Sequence, residues 1–290
     1  MQKVILTGGS SLLGKYLIPT TPPLCNVEST FYTNHIPGLQ IYSLDITNKS
    51  QVAYTFDRIK PDVVIHCAAV GNVDYAERHF VETHAVNVLG TRNIVQAAND
   101  FKALFVHIST NAVFSGNNPP YSEVSECHPI NAYGIIKREA EQMVTGLANK
   151  WLIIRPFLLY GYPWPGGRPN WLVTILQNLS IGKATRLVDD TYWQPTYAGD
   201  CAEAIWRLIQ SGKTNEIYHV ASDEVLTLFD FGLKIATHYN QNQELIQPMA
   251  SSELPKGMAK RPIDTTYCLD KLHGLGIRCL SVEEGLRVMR

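Results

Sequence analysis

VILTGGSSLLGKYL, at residues 4–17, reads as a short apolar strand that runs through Gly8 and Gly9 into a helix starting near Ser11 or Leu12. A glycine turn at that junction lets backbone N–H groups and the positive end of the helix approach a pyrophosphate, and Gly14 lets the helix pack closely on the sheet. Gly8, Ser11 and Gly14 stand where three glycines are commonest, so Ser11 adds a side chain that either donates to a phosphate or crowds the turn.

Outward from this stretch, short β-branched runs alternate with longer amphipathic ones. KVILTG (3–8), VESTFY (27–32), LQIYSL (39–44), DVVIHCA (62–68), ALFVHIS (103–109) and WLIIRP (151–156) are strand candidates, apolar enough to be covered on both faces. SQVAYTFDRI (50–59) and HAVNVLGTRNIVQAANDF (84–101) carry apolar residues at helical spacing. The pattern predicts an α/β fold, a Rossmann-type doubly wound parallel sheet, with residues 1–155 as the dinucleotide-binding domain. Beyond Arg155, Pro156, Pro163, Pro165, Gly166, Gly167 and Pro169 crowd an aromatic segment that reads as a loop or lid. Helical stretches from Trp171, over 200–210 and over 228–239, a stretch at 187–195 and a strand at EIYHVA (216–221) follow. Residues 156–290 are thus expected to form mainly a smaller substrate-binding α/β region, with about 196–222 returning to the first core.

The chain has 290 residues, 45% hydrophobic and 18% charged, with a formal net charge of −1. That composition supports a sizeable core and gives no basic patch for nucleic acid. No signal-peptide pattern opens the sequence and no apolar run approaches about 20 residues, so a cytoplasmic protein outside the membrane is expected. Six widely spaced cysteines form neither a disulfide framework nor a CxxC pair. His66, His84, His107 and His219 with Cys67 lack the close pairing of a zinc site, and the expectation is no metal.

The second strand ends Phe31, Tyr32, Thr33, Asn34, His35, without the acid that binds a ribose 2′-hydroxyl and without an Arg to clamp a 2′-phosphate. The cofactor is read as NADP or NAD, leaning to NADP. Candidate cofactor contacts are Gly8, Ser10, Ser11, Leu12 and Leu13 on the first turn, then Tyr32, Asn34 and His35. Asp45, Ile46, Cys67, Ala68 and Ala69 follow the next strands, although a helix cap and close packing account for Asp45 and the alanines equally well.

HISTNAVFSG (107–116) followed by NAYGIIKREAEQ (131–142) carries the chemistry. Thr110 closes a strand, and Tyr133 and Lys137 lie four apart on one helix face. A phenol is a poor base at its ordinary pKa near 10, and a cation one turn away is expected to lower it. Thr110 would polarise the same oxygen, with Tyr133 and Lys137 also touching the cofactor.

In order along the chain, TGGSSLLG (7–14), KPDVVIHCAAVGNVDYAE (60–77), NVLGT (87–91), HISTNAVFSG, NPPYSE (118–123), the segment from Tyr133 to Lys137, LLYG (158–161), QPTYAGDCAEAI (194–205) and RPIDTTYCLDKLHGLG (261–276) resemble the extended short-chain dehydrogenase/reductases. Within them, they resemble the dTDP-4-dehydrorhamnose reductase branch. The resemblance implies NAD(P)H-dependent reduction of a keto group on a nucleotide-linked sugar, with Thr110, Tyr133 and Lys137 catalytic, Asn87 supporting their helix, and Asn87 and Pro156 among the cofactor contacts. It further implies that Arg155, Pro156 and Tyr160 border nicotinamide and substrate, with Arg261 near the nucleotide sugar. Val70, Asn111, Ala112, Leu158 and Trp193 complete the candidate substrate set.

Departures fall on the sugar side. Asn111 and Ala112 replace the branch's Asp and Tyr, and Leu158 stands where its Trp is usual. They also lack the acid pair of the related 4,6-dehydratases, which argues against dehydration. Epimerisation stays open, as does a non-catalytic role like that of the methionine adenosyltransferase regulatory β-subunit, which resembles the same branch. The aromatic residues Tyr160, Tyr162, Trp164, Trp171, Tyr192 and Trp193 suit nucleotide stacking, core packing or a second subunit, so a homodimer is also open.

Overall fold

Ile5, Val64, Phe105 and Ile153 point to one side of a parallel sheet, and Val4, Leu6, Val63, Ile65, Val106, Leu152 and Ile154 to the other; all are fully buried. Period-two alternation with both sides apolar forces helices onto both faces. In the computed structural model, residues 1–39 and 41–289 are described. The sheet is built from β1 (Gln2–Thr7), β2 (Cys25–Phe31), β3 (Ile41–Ser43), β4 (Val63–His66), β5 (Leu104–Ile108), β6 (Trp151–Pro156) and an edge strand Glu216–Val220. Their spatial order is β3, β2, β1, β4, β5, β6, edge strand, and every pairing is parallel. The order reverses between β1 and β4, which opens a crevice at their carboxyl ends. Of the expected strand at 39–44, Gln40 lies outside the described residues.

Helix α1 (Leu12–Leu17) and the helix Ala198–Gln210 cover one face, where Trp206 Nε1 donates to Leu17 O at 3.2 Å. Helices Lys49–Ile59, Thr91–Asp100 and Ala132–Leu147 cover the other. Leu272, Ile277 and Cys279 join the α1 face, so more of the C-terminal segment than 196–222 packs on the sheet.

Two expected elements are broken. The helix expected over 84–101 is a short helix Phe80–His84, a π-helical stretch Ala85–Gly90 and then Thr91–Asp100. The widened turn carries Asn87, whose Oδ1 accepts from Val70 N (2.8 Å) and whose Nδ2 donates to Val70 O (3.0 Å). The stretch expected at 187–195 is divided into Thr185–Val188 and Tyr192–Trp193 by a bend, where the Asp190 carboxylate accepts from Ser251 N at 2.9 Å. A separate apolar cluster of Tyr160, Leu172, Ile175, Leu187, Leu228, Phe231, Ile235, Ile246, Val282 and Leu286 organises the C-terminal region. Among the described residues no helix is long and apolar enough to cross a membrane, and no group of His, Cys, Asp and Glu could hold a metal ion.

Candidate active site

Gly8 takes φ +72°, and a Cβ there would lie 2.7 Å from Ala68 N, so the turn after β1 and the loop after β4 pass closer than any side chain allows. At Gly14 a Cβ would lie 2.5 Å from Gly9 O. Ser11, in the place of a glycine, is the N-cap of α1, its Oγ accepting from Gly14 N at 3.1 Å. The result is a cradle of bare backbone that fits a dinucleotide pyrophosphate. Ser10 and Leu12 border it half-buried, whereas the Leu13 side chain is core and leaves only its backbone to the turn.

The proline-rich segment is folded onto this turn. Trp164 Nε1 donates to Gly9 O (3.0 Å), Lys15 Nζ to Pro163 O (3.2 Å) and Tyr162 N to Tyr16 Oη (3.0 Å). Along the crest beside it come Tyr32 (65% exposed), Asn34 and His35 after β2, then Asp45 after β3. Asp45 accepts from Thr47 N and Oγ1 at 2.9 and 2.7 Å, one turn before Asn48 caps the next helix, while Ile46 is buried. Cys67, Ala68, Ala69 and Val70 follow β4. Cys67 N donates to Thr7 O at 3.0 Å and Asn87 pins Val70, which fixes this loop against the glycine turn. Burial pushes the Cys67 thiol up to about 12, against the opposing pull of Lys137.

Thr110 leaves β5 and caps the short turn Asn111–Val113, its Oγ1 accepting from Ala112 N at 3.2 Å. Asn131 caps the helix Ala132–Leu147: its Oδ1 accepts from Gly134 N (2.8 Å) and its Nδ2 donates to Lys260 O (2.9 Å). Those anchors set Tyr133 in the first turn of the helix, with the Thr110 side chain at the end of β5 as its neighbour. One turn on, Lys137 is 2% exposed; its Nζ donates to Ile108 O at 2.7 Å and lies 3.2 Å from His107 Nε2. Burial lowers Lys137 to about 8, with Glu141 and Cys67 acting the other way.

The expected net lowering of the phenol is corrected: its pKa is raised. Burial pushes Tyr133 up to about 12, and what opposes it is the neighbouring Thr110 side chain and then the Arg168 guanidinium. The Lys137 ammonium is turned toward Ile108 O and His107 Nε2 of β5.

Three further expectations are corrected by burial. Arg155, 1% exposed, makes a two-pronged pair with Glu141 (2.8 Å at each oxygen) and reaches His219 Nε2 (3.3 Å) and Cys127 Sγ (3.3 Å), so its guanidinium is committed to the interior. Tyr160, 0% exposed, packs on Phe231 and Tyr197 in the C-terminal core, with its hydroxyl donating to Val282 O at 3.4 Å. Pro156 is buried at the end of β6. Arg261 is held by Asp74 Oδ2 (2.8 Å) and by Ala259 O (2.9 Å). Asn111 Nδ2 donates to Thr265 Oγ1 at 2.8 Å, Ala112 is half-buried, and Leu158 has φ +26°. Trp193 meets Phe157 edge-on and donates from Nε1 to Thr191 Oγ1 at 2.9 Å.

Residue-by-residue reading of the sequence passed over His107, Arg168 and Glu141 as site residues. Alternation along β5 carried a signal for the first, since it puts His107 on the same face as Phe105, beneath the helix of Lys137. Nothing local to Arg168 marked it.

A family model described as "RmlD substrate binding domain" matches residues 1–289. The dTDP-4-dehydrorhamnose reductase of Aggregatibacter actinomycetemcomitans is 29% identical over 302 residues, covering 100% of this chain and 99% of its own. The crystal structure of dTDP-4-dehydrorhamnose reductase from Bacillus anthracis, in complex with NADP, is 32% identical with a TM-score of 0.88, covering 99% of this chain and 98% of that one. The methionine adenosyltransferase 2 subunit beta of Xenopus tropicalis is 26% identical over 284 residues, covering 95% of this chain and 83% of its own. With nearly its whole length matched by the family model and by a solved relative above 30% identity, this chain belongs to the RmlD substrate-binding-domain family of reductase-like α/β proteins.

Proposed function

We propose that this protein is an NAD(P)H-dependent oxidoreductase that reduces a keto group on a nucleotide-linked sugar, as the dTDP-4-dehydrorhamnose reductases it resembles are named to do. The observation that carries the reading is the placing of Thr110 at the end of β5 next to Tyr133, with Lys137 one turn on and bonded to the same strand, near a bare-backbone cradle at the switch point of the sheet.

The cradle of Gly8, Ser10 and Ser11 would hold the pyrophosphate, and Tyr32, Asn34, His35 and Asp45 would face the adenosine. When bound, NADPH or NADH supplies the hydride. Thr110 Oγ1 and Tyr133 Oη orient the substrate carbonyl oxygen. Tyr133, kept protonated by its raised pKa, gives its proton to that oxygen as the carbonyl carbon becomes CH–OH. The Lys137 ammonium lowers the cost of the phenolate left behind. Asn111, Ala112 and Leu158 would shape the sugar side, and the loop at 161–169 would exclude water. The division into a cofactor half, 1–155, and a mainly substrate-binding remainder belongs to the same proposal.

A panel of keto-sugar nucleotides assayed by NADPH oxidation tests the reading. Tyr133→Phe is expected to lower turnover by roughly two to four orders of magnitude while leaving NADPH affinity in place; unchanged turnover rules the assignment out. The similarity to methionine adenosyltransferase 2 subunit beta keeps one rival. Stable co-elution with a catalytic partner, and no turnover on the panel, would favour it.

A further inference from the structure

We propose that His107 is the positioning residue of Lys137: its neutral imidazole accepts one N–H of the buried ammonium, Ile108 O accepts a second, and the third is thereby left for the strand ends, on the side of Thr110 and Tyr133. The geometry is explicit. Nε2 lies 3.2 Å from Nζ and the carbonyl oxygen 2.7 Å, both from β5, while Lys137 comes down from the helix that covers it. An ammonium has three donors and no acceptor, and in a water-poor site each donor needs a fixed partner. Two inward partners on one strand leave a single direction for the last.

The tautomer follows from the same contact. For Nε2 to accept, the ring proton sits on Nδ1, which is buried without a hydrogen-bond partner in the protein. An unpartnered buried donor is costly, so His107 is a poor choice for packing alone and a suitable one where an acceptor is needed beneath a cation. Every group facing Lys137 agrees with a neutral ring. His66 on β4 stacks 6.0 Å from His107 and is itself neutral, lowered to about 3 by burial and then by Lys137, with its nitrogens engaged by Thr7 Oγ1 and Thr91 Oγ1. Cys67, at the end of β4, stays a thiol. From the lysine's own helix, Tyr133 is protonated and Glu141 is taken up by Arg155 of β6 and by Arg138. Burial and the nearby ammonium hold His107 well below its ordinary value. Glu141 therefore favours the charged form of Lys137 only from a distance, and the acceptors in direct contact with the ammonium are the neutral ones of β5.

The use of this lysine rests on the reductase reading, but the contact is tested without substrate. Protein carrying 13Cε-lysine is titrated by NMR, with the Lys137 signal assigned by its loss in Lys137→Met. In the wild type the midpoint is expected near 8. His107→Leu is expected to lower it by roughly one unit or more, because the charged form loses a hydrogen bond. His107→Gln, which keeps an acceptor, is expected to return it to the wild-type value. A folded His107→Leu protein with an unmoved midpoint overturns the proposal, as does an equal fall in the Leu and Gln variants, which would mean that only ring shape matters. Should His107→Leu not fold, His107→Phe carries the same expectation. Failure of the reductase reading would look different: no turnover by the wild type on any keto-sugar nucleotide, with the lysine titration as described.

Discussion

At the residue scale the site is a problem of charge in a dry place. In the proposed reduction Lys137 has to be an ammonium to assist a phenolate, yet burial brings its pKa from 10.5 down to about 8. Its folded value lies below its unfolded value, so between pH 8 and 10.5 the unfolded chain keeps a proton that the folded chain sheds, and stability rises with pH across that window. The free energy of unfolding of the wild type, measured against Lys137→Met by urea denaturation, is therefore expected to gain about 3 kcal/mol between those limits. A flat difference would show that the ammonium is not buried as described. Activity has the opposite slope, falling as pH rises through 8 and the cation is lost. Tyr133 is the residue whose identity the sequence made plain and whose electrostatics it did not, because the direction in which Lys137 turns depends on β5, a separate segment of chain.

Among elements, the helix Ala132–Leu147 has to hold Tyr133 and Lys137 in register with β5. Its N-terminus is fixed by Asn131, and Ala132 N donates to Glu77 Oε2 at 3.0 Å. Its middle is fixed by Glu141, which is 0% exposed and joins β6 through Arg155, while Arg155 reaches the edge strand through His219. Replacing such a pair by apolar groups can be neutral, but removing one partner strands a charge. Glu141→Ala is expected to cost roughly 3–5 kcal/mol in urea denaturation; a loss below about 1 kcal/mol would mean that Arg155 finds water or another acceptor. The π-helical turn at Ala85–Gly90 is the other device at this scale, since it presents Asn87 to both backbone groups of Val70 and so fixes the loop that meets Gly8. Neither device has a short-range signature. Glu141 looked like an ordinary helical acid, and helical spacing cannot distinguish one wide turn from a continuous helix.

Over the whole molecule, the loop at 161–169, late in the chain, is hydrogen-bonded to the glycine turn after β1 and to α1. A dinucleotide held between them stabilises both together, by about 2.7 kcal/mol at one hundred times its Kd. NADPH is expected to raise a single thermal transition, and to raise it more than NADH at equal concentration, because β2 ends without an acid to repel a 2′-phosphate. A larger shift with NADH would reverse the preference. The strand segments, the glycine turn, Thr110 and the Tyr133 to Lys137 spacing were all present in the sequence by itself, because alternation, helical period and turn chemistry are local and repeat along the chain. Only the tertiary structure decided that Tyr160, Arg155 and Pro156 are interior, that Trp164 straps the glycine turn, and that Lys137 faces His107. Burial and hydrogen-bond partnership are set by segments distant in the chain, and no local pattern encodes which of them will meet.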